Sequence, residues 1–298
     1  MSNKLLITDS FFITDDNVAS LEQAGYEVSR LDKPVITEDE LIEALQDVAV
    51  YIIGGIERTT EKVIASVNSL QAIIFTGVDY DKFIPAAESA RKKGIKLLNA
   101  PGANAVAVAE FAVGVCIAMQ RELFSIGRTG KDKYSTTRSL QGIVVGVIGA
   151  GNIGQKIIDM VEPFMPQEII FYNRSPLGLK SRQASLDDVV TQSDVIFLAL
   201  PQAAGLMLDE SLIKKIKPDT LVVSISPMNV IDIEALYVRL NAGEIRAAID
   251  WPAPDPKFDD LALNVWFHVN SHSAYNTTQA VDAVNNSVTE TAIKLLNN

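Results

Sequence analysis

The most specific chemical pattern in this chain is a set of three glycines, Gly149, Gly151 and Gly154. A β-branched run at Ile143–Ile148 precedes them, and an apolar helical pattern follows at once. Gly149 would make a tight turn, Gly151 would let the backbone approach a pyrophosphate, and Gly154 would let helix and strand pack closely. The amides and positive dipole of the new helix would hold the phosphate charge. A second predicted strand at Glu168–Tyr172 completes the unit, so the segment predicts a dinucleotide site rather than an ordinary tight turn.

Three residues at the end of that second strand bear on the choice of coenzyme. An acidic residue here normally accepts a hydrogen bond from the ribose 2′-OH of NAD and repels a phosphate. This chain instead has Asn173, Arg174 and Ser175, which offer a neutral donor, a planar cation and a hydroxyl. The sequence therefore favours NADP over NAD. The alternative is a turn asparagine and an exposed arginine beside bound NAD.

The elements that must position these groups alternate between short apolar runs and helical patterns. The first series predicts strands at Lys4–Thr8, Tyr26–Ser29, Val48–Ile53, Gln71–Thr76 and Ile95–Leu98. The second predicts strands at Ile143–Ile148, Glu168–Tyr172, Val195–Leu200, Thr220–Ile225, Arg246–Ile249 and Val265–Val269. Helices are expected between most strands, with a long one over about Asn104–Ile126 and a last one at Thr277–Leu296. This pattern predicts an α/β protein with two doubly wound parallel-sheet domains.

Composition narrows the classes of function that are open to the chain. Its 298 residues predict about two domains. A net charge of −11 argues against a nucleic-acid partner. The most apolar stretch, Ala105–Met119, contains Glu110 and is too short to span a membrane. Cys116 is the single cysteine and no signal peptide is recognisable, so a cytoplasmic location is expected. With only His268 and His272 available, no histidine-rich metal site is expected.

Several motifs in order resemble the D-isomer-specific 2-hydroxyacid dehydrogenase family, in particular its glyoxylate/hydroxypyruvate reductases and phosphoglycerate dehydrogenases. They are Thr76–Asp81, Asn99–Glu110, Gly146–Gly154, Leu198–Pro201, Ile231–Leu236, Ala248–Asp250 and His272–Thr277. The resemblance implies a Rossmann cofactor domain at residues 101–272, inserted into a flavodoxin-like substrate domain made of residues 1–100 and 273–298. It also implies a homodimer with the long helix at the contact. The implied reaction is hydride transfer between NAD(P) and a small 2-hydroxy or 2-oxo acid.

The resemblance assigns roles to individual residues. His272, in the pattern His-x-Ala-x-x-Thr, would exchange the proton on the substrate oxygen, a role that suits an imidazole with a pKa of about 6.5. Asp255 would be its carboxylate partner, at a position where the family commonly has Glu. The alternative for Asp255 is a polar residue in a proline-rich turn. His268 is predicted to be structural.

The remaining site residues also follow from the resemblance. The substrate's anionic end would meet backbone amides near Gly55, Ile56, Gly77 and Val78. Coenzyme contacts would come from Gly149, Gly151, Asn152, Ile153, Gly154, Asn173, Arg174, Ser175, Leu200, Pro201, Ile225, Asp250 and Ala274. Asp250 is expected to bond the nicotinamide carboxamide.

One position departs from the family pattern. Where the family has its catalytic Arg, this chain has Pro227, followed by Met228 and Asn229. Proline has no charge and no backbone N–H, so the clamp on the substrate carboxylate cannot come from this position. Arg58 is a candidate partial substitute, although such a residue is more often a solvated loop charge. The leading hypothesis is a reductase for a 2-oxo acid or a related carbonyl compound. The alternatives are a dinucleotide-binding protein with lost or vestigial activity, and an enzyme whose substrate lacks a carboxylate.

Overall fold

The computed structural model describes residues 3–8, 13–33, 35–77, 80–130, 136–269 and 273–296. The chain forms two compact units. One consists of residues 1–104 and 278–298, and the other of residues 105–277. We call them the first and second units. Their assignment to substrate and coenzyme remains a prediction.

The helices and strands alternate along the described chain. The strands are β1 (Lys4–Thr8), β2 (Glu27–Leu31), β3 (Val50–Ile53), β4 (Ala72–Phe75), β5 (Lys96–Leu98), β6 (Val144–Ile148), β7 (Glu168–Tyr172), β8 (Arg182–Gln183), β9 (Val195–Leu198), β10 (Leu221–Ser224), β11 (Arg246–Ile249) and β12 (Trp266–His268). The helices are α1 (Asp15–Gln23), α2 (Glu38–Ala44), α3 (Glu61–Ser66), α4 (Ala87–Lys92), α5 (Ala105–Gln120), α6 (Leu123–Thr129), α7 (Asn152–Val161), α8 (Leu186–Gln192), α9 (Glu210–Ile213), α10 (Ile233–Asn241) and α11 (Thr278–Leu296). Short 3-10 turns connect several of these elements.

The first unit is built on a parallel sheet with the strand order β2-β1-β3-β4-β5. Its central strands, β3 and β4, are buried and wholly apolar, as expected when both faces of a parallel sheet are covered. Tyr51 and Ile53 pack into the core on one face, and Val50 and Ile52 into the core on the other. This strand order is the flavodoxin-like one, and it reverses direction between β1 and β3. Ligands bind such sheets at the carboxyl ends of the strands flanking that point.

The second unit has a parallel seven-stranded sheet with the order β12-β11-β10-β9-β6-β7-β8. Counted from β6, this is the Rossmann order with one further strand at the edge. The order reverses between β6 and β9, which pair from Val145↔Val195 to Ile148↔Leu198. The loops that follow these two strands therefore flank the expected ligand site. The predicted fold class, two doubly wound parallel-sheet units, is confirmed.

Three elements differ from the sequence-based expectation. The long helix predicted over Asn104–Ile126 is two helices, because Glu122 adopts a left-handed conformation with φ of 53° between α5 and α6. The sequence predicts the helix before β5 at Phe83–Lys93, but α4 begins only at Ala87. Pro85 explains the delay, since a proline disfavours the helical conformation in the residue before it. The sequence also missed β8, whose two residues are too few to show a period.

No helix in the described part of the chain is long and apolar enough to cross a bilayer.

Candidate functional site

The loop after β6 has the geometry that its glycines predict. Gly149 has a φ of 95°, and a Cβ added there would lie 2.5 Å from the carbonyl oxygen of Ala199. A Cβ on Gly154 would lie 2.0 Å from the carbonyl oxygen of Gly149. Gly149 and Gly154 are therefore required by the turn and by the helix–strand packing. Gly151 differs from both, because a Cβ there would meet nothing within 4 Å. The chain leaves open space at the position where the glycine pattern expects a pyrophosphate.

The amino terminus of α7 opens onto that space without a side-chain cap. Its N-cap is Gly151, which has no side chain to accept a hydrogen bond from the first amides of the helix. The first amides of a helix, here those of Asn152, Ile153 and Gly154, have no partner within the helix itself. Together with the positive end of the helix dipole they suit a phosphate group. The residues present therefore fit a dinucleotide.

At the end of β7, the turn of residues 173–175 is held partly by its own hydrogen bonds. Asn173 donates from Nδ2 to the carbonyl oxygen of Ser175 at 3.0 Å, so part of its donor capacity is used within the turn. Gln183 donates to the carbonyl oxygens of Asn173 and Ser175 at 3.0 and 3.2 Å. Arg174 is exposed, and no ion pair is found for it among the described residues. Arg174 and the Ser175 hydroxyl are thus the groups of this turn best placed to meet a ligand.

Across the reversal point from β6, a buried serine fixes the loop after β9. Leu200 donates its amide to Oγ of Ser226 at 2.7 Å, and the Ser226 side chain is fully buried. Ile225, one of the predicted coenzyme contacts, is buried beside it. Pro201 begins the short turn Gln202–Ala204. Ser226 is not predicted from the sequence, where its one signal is a serine at the end of an apolar strand.

Pro227 precedes a 3-10 turn at Met228–Val230, with a φ of −55° that suits proline. Asn229 donates from Nδ2 to the carbonyl oxygen of Gln202 at 2.9 Å. The segment after β10 is therefore tied to the loop after β9 by an amide side chain. Residues 227–229 place no cation at this edge of the sheet.

Asp250 follows β11 and its side chain is fully buried. Its carboxylate accepts from the backbone amides of Ser273 and Ala274, in each case at 3.1 Å. These are the two residues directly after His272. The predicted contact of Asp250 with nicotinamide is untested, and the structure adds a role that the sequence did not suggest. Asp250 fixes the backbone at Ala274, another of the predicted coenzyme contacts.

The predicted pair of His272 and Asp255 is described only in part, because His272 lies outside the described residues. Asp255 is the N-cap of the 3-10 turn Pro256–Asp260 and accepts from the amide of Lys257 at 2.9 Å. The histidine that the structure does describe, His268, bonds through Nε2 to Asp259 at 3.0 Å. That contact agrees with a structural role for His268. The catalytic roles of His272 and Asp255 stay predictions.

On the first unit, the predicted substrate residues follow two neighbouring strands, β3 and β4, at the carboxyl edge of the sheet. Gly55 and Ile56 follow β3, and Ile56 is 70% exposed. Gly77 follows β4, where a Cβ would lie 2.4 Å from the ring of Phe75, so a side chain there would require that ring to move. Its carbonyl oxygen accepts from the amide of Ala100 at 2.9 Å. Val78 lies outside the described residues. The part of the chain that the structure describes contains no cluster of three or more side chains suited to a metal ion.

The chain is thus a two-unit α/β protein. At the carboxyl edge of its seven-stranded sheet it has a glycine-rich turn of the type that binds dinucleotides. Residues 115–274 match the family model described as D-isomer specific 2-hydroxyacid dehydrogenase, NAD binding domain. Because the match spans more than half of the chain, this protein belongs to the D-isomer-specific 2-hydroxyacid dehydrogenase family. The resemblance stated from the motifs is confirmed.

Individual relatives agree with this assignment. The hydroxypyruvate reductase of Thermotoga maritima is 29% identical over 235 residues, covering 76% of this chain and 76% of that protein. The D-3-phosphoglycerate dehydrogenase of Methanocaldococcus jannaschii is 27% identical over 314 residues, covering 98% of this chain. The chain spans only 57% of the length of that relative.

Two solved structures share the fold. An acyclic imino acid reductase in complex with NADPH and D-Arg is 22% identical with a TM-score of 0.84, and the match covers 99% of this chain and 97% of that one. An NAD⁺-bound 3-phosphoglycerate dehydrogenase of Entamoeba histolytica is 20% identical with a TM-score of 0.81, and the match covers 100% and 96%.

Proposed function

We propose that this chain is an NAD(P)-dependent oxidoreductase that transfers a hydride between nicotinamide and a 2-hydroxy or 2-oxo acid, or a related carbonyl compound. The observation that carries the proposal is the turn at Gly149, with an uncapped α7 and open space at Gly151. Family membership supports the same coenzyme class. When bound, the nicotinamide supplies or accepts the hydride, and the chain provides binding, orientation and proton transfer.

The substrate's anionic end is assigned to the amides that follow β3 and β4 in the first unit. Gly55 and Ile56 lie at the reversal point of that sheet, where such folds bind ligands. Backbone amides bind a carboxylate without any charged side chain. This matters because Pro227 offers neither charge nor donor. A substrate that carries a weaker anionic group, or none, is compatible with the same amides.

The proton on the substrate oxygen is assigned to His272, with Asp255 as the carboxylate that would orient it. Asp250 would support this step through the backbone. Its buried carboxylate holds the amides of Ser273 and Ala274, which restricts the residues directly after His272.

An assay of the purified protein tests the proposal. NADPH and NADH oxidation would be followed across a panel of small 2-oxo acids and their neutral carbonyl analogues. We expect turnover of at least one compound. Tight coenzyme binding without any turnover would instead indicate a dinucleotide-binding protein with lost or vestigial chemistry.

Of the two coenzymes we propose NADP, because Arg174 is an exposed cation at the end of β7 and the acidic residue that would repel a 2′-phosphate is missing there.

Arg174→Ala is expected to raise the KM for NADPH about tenfold, since a charge-assisted bond to the 2′-phosphate is lost. The KM for NADH should change less than about twofold. Initial-rate kinetics with both coenzymes measure this, and Lys180→Ala removes an exposed cation nearby as a control. Equal effects of Arg174→Ala on both coenzymes would contradict the assignment.

A homodimer through α5 is part of the proposal. Val106, Glu110 and Gly114 share one exposed face of this strongly apolar helix, and Val106 is 48% exposed. Val106→Asp would replace an apolar contact with a second carboxylate on the face that carries Glu110, and is expected to weaken dimerisation at least about tenfold. Light scattering during gel filtration measures the change. Val238→Asp, on an exposed face of α10, is the matched control and should leave the mass unchanged. A wild-type monomer would refute this part of the proposal.

A cytoplasmic location is proposed from the cysteine usage. Cys116 is the single cysteine of the sequence. It is fully buried in α5, and burial raises the pKa of its thiol to about 12. The thiol is thus protonated and shielded, so this chain makes no use of an oxidising compartment.

A further inference from the structure

The segment between β3 and α3, residues 54–60, is held at its two ends by backbone hydrogen bonds. Gly54 donates its amide to the carbonyl oxygen of Thr8 at 3.1 Å. Thr59 donates to the carbonyl oxygen of Phe83 at 2.9 Å and accepts from the amide of Ala86 at 3.3 Å. The four amides in between, those of residues 55–58, meet no acceptor among the described residues. Unpaired backbone donors at this edge are what a ligand with acceptor oxygens would use.

In the middle of this segment one side chain turns inward. Ile56 and Arg58 are exposed, whereas Glu57 is only 7% exposed. The Oε1 atom of Glu57 accepts from the hydroxyl of Tyr51 at 3.0 Å and from the hydroxyl of Thr8. The Thr8 and Tyr51 hydroxyls are themselves 3.1 Å apart. Both partners are fully buried, and they belong to β1 and β3, the two strands that flank the reversal point.

The chemistry of this cluster suits a fixed anchor. No Lys or Arg side chain forms an ion pair with Glu57 among the described residues, so the two hydroxyls are its polar partners. Burial, and then the charge of Glu57, raise the pKa of Tyr51 well above its usual range. Tyr51 is therefore protonated at neutral pH and can donate to Glu57. A buried carboxylate without hydrogen-bond donors costs free energy. The Glu57 side chain is therefore expected to stay bonded to these two hydroxyls.

We propose that Glu57 is the positioning residue of the substrate loop: through Thr8 and Tyr51 it holds residues 55–58 so that their amides face a ligand. This inference rests on the proposed function, which assigns the substrate's anionic end to Gly55 and Ile56. Glu57 would be the side chain that holds those amides in place before the substrate binds. With Glu57 released, the loop would be tied only at Gly54 and Thr59, and ligand binding would have to order the residues between them.

Two variants test the anchor kinetically. Glu57→Gln keeps the shape of the side chain but places an amide next to the buried hydroxyls of Tyr51 and Thr8. Tyr51→Phe removes one of these two hydroxyl donors. Each is expected to raise the substrate KM about tenfold, with kcat and the coenzyme KM changing less than about threefold. The double variant should raise KM by less than the product of the two single effects, because both remove one shared interaction.

Tyr26→Phe is the matched control. It also removes a buried tyrosine hydroxyl from the first unit, one that donates to the carbonyl oxygen of Ala292 at 2.8 Å in α11. We expect it to lower thermal stability without changing the substrate KM. This control separates positioning of the loop from general loss of stability, which would affect all three variants alike.

Hydrogen exchange provides a readout that needs no turnover. Peptides covering residues 51–61 report on the anchored amides of Gly54 and Thr59, and these should exchange about tenfold faster in Glu57→Gln than in wild type or Tyr26→Phe. An unchanged substrate KM would overturn the inference, as would an equal change in the coenzyme KM or unchanged exchange. If wild type turns over no substrate, the proposed function fails, and exchange alone decides whether Glu57 fixes the loop.

Discussion

Replacing Gly151 with aspartate is expected to weaken coenzyme binding more than about a hundredfold while the protein stays folded. The site is unusual among the glycines of this turn, because its φ of −76° is open to any residue and a Cβ meets nothing within 4 Å. An aspartate at this N-cap can accept from the amides of α7, which stabilises a helix by about a few tenths of a kcal/mol relative to glycine. The same carboxylate would occupy the open space at Gly151 and accept hydrogen bonds from the amides that are proposed to bind the coenzyme phosphates. Its negative charge would also repel those phosphates. Stability and binding should therefore change in opposite directions.

Calorimetric titration with NADPH and NADH, together with a thermal melt, measures both effects. Gly178→Asp is the matched control, because a Cβ there also meets nothing within 4 Å but the residue is not part of the glycine turn of residues 149–154. Gly154→Ala provides the contrast: its Cβ would lie 2.0 Å from a backbone oxygen, so it should lower the melting temperature as well as binding. Unchanged coenzyme affinity in Gly151→Asp would remove the main support for a dinucleotide site at α7.

The sequence was most informative where a function depends on local backbone shape. Gly149 and Gly154 predicted the turn after β6 and the close packing of α7 against the strand, because a tight turn and close packing each exclude a side chain. The alternation of apolar runs likewise predicted both doubly wound sheets. In contrast, the break between α5 and α6 could not be predicted, since Glu122 is an ordinary helix former that adopts a left-handed conformation only in the folded chain.

Contacts between distant segments were the part that sequence reasoning could not supply. The carboxylate of Asp250 meets amides more than twenty positions further along the chain, at Ser273 and Ala274. Glu57 reaches back to Thr8 on another strand. Neither residue carries a local pattern that reveals its partner, because both contacts exist only once the strands are ordered in the sheet. Asp255 shows the converse: its described contact, a cap on the following turn, matches the alternative of a polar residue in a proline-rich turn that the sequence suggested.

Replacing His272 with alanine is expected to lower kcat by about 10²- to 10⁴-fold, the range typical of a lost general acid or base. Coenzyme affinity should change less than about twofold, since the α7 amides proposed to bind the phosphates lie in a different loop. Steady-state kinetics on any substrate that wild type accepts, combined with calorimetry, separates the two effects. The best control is the other histidine of the chain, His268, whose Nε2 bonds to Asp259. His268→Ala removes that contact and should affect stability more than turnover.

The comparison of the two histidine variants also decides which imidazole, if either, takes part in the reaction. In an enzyme without a cation at position 227, the proton donor would contribute most of the remaining rate enhancement by side chains. Its loss should therefore lower kcat severely. If His272→Ala kept the wild-type rate while His268→Ala lost it, the roles would be exchanged and the family motif would have misplaced the acid. If both variants kept the wild-type rate, neither imidazole would take part in the reaction. The hydride transfer would then proceed without a histidine, and the substrate would be one whose oxygen or nitrogen needs no proton from the protein.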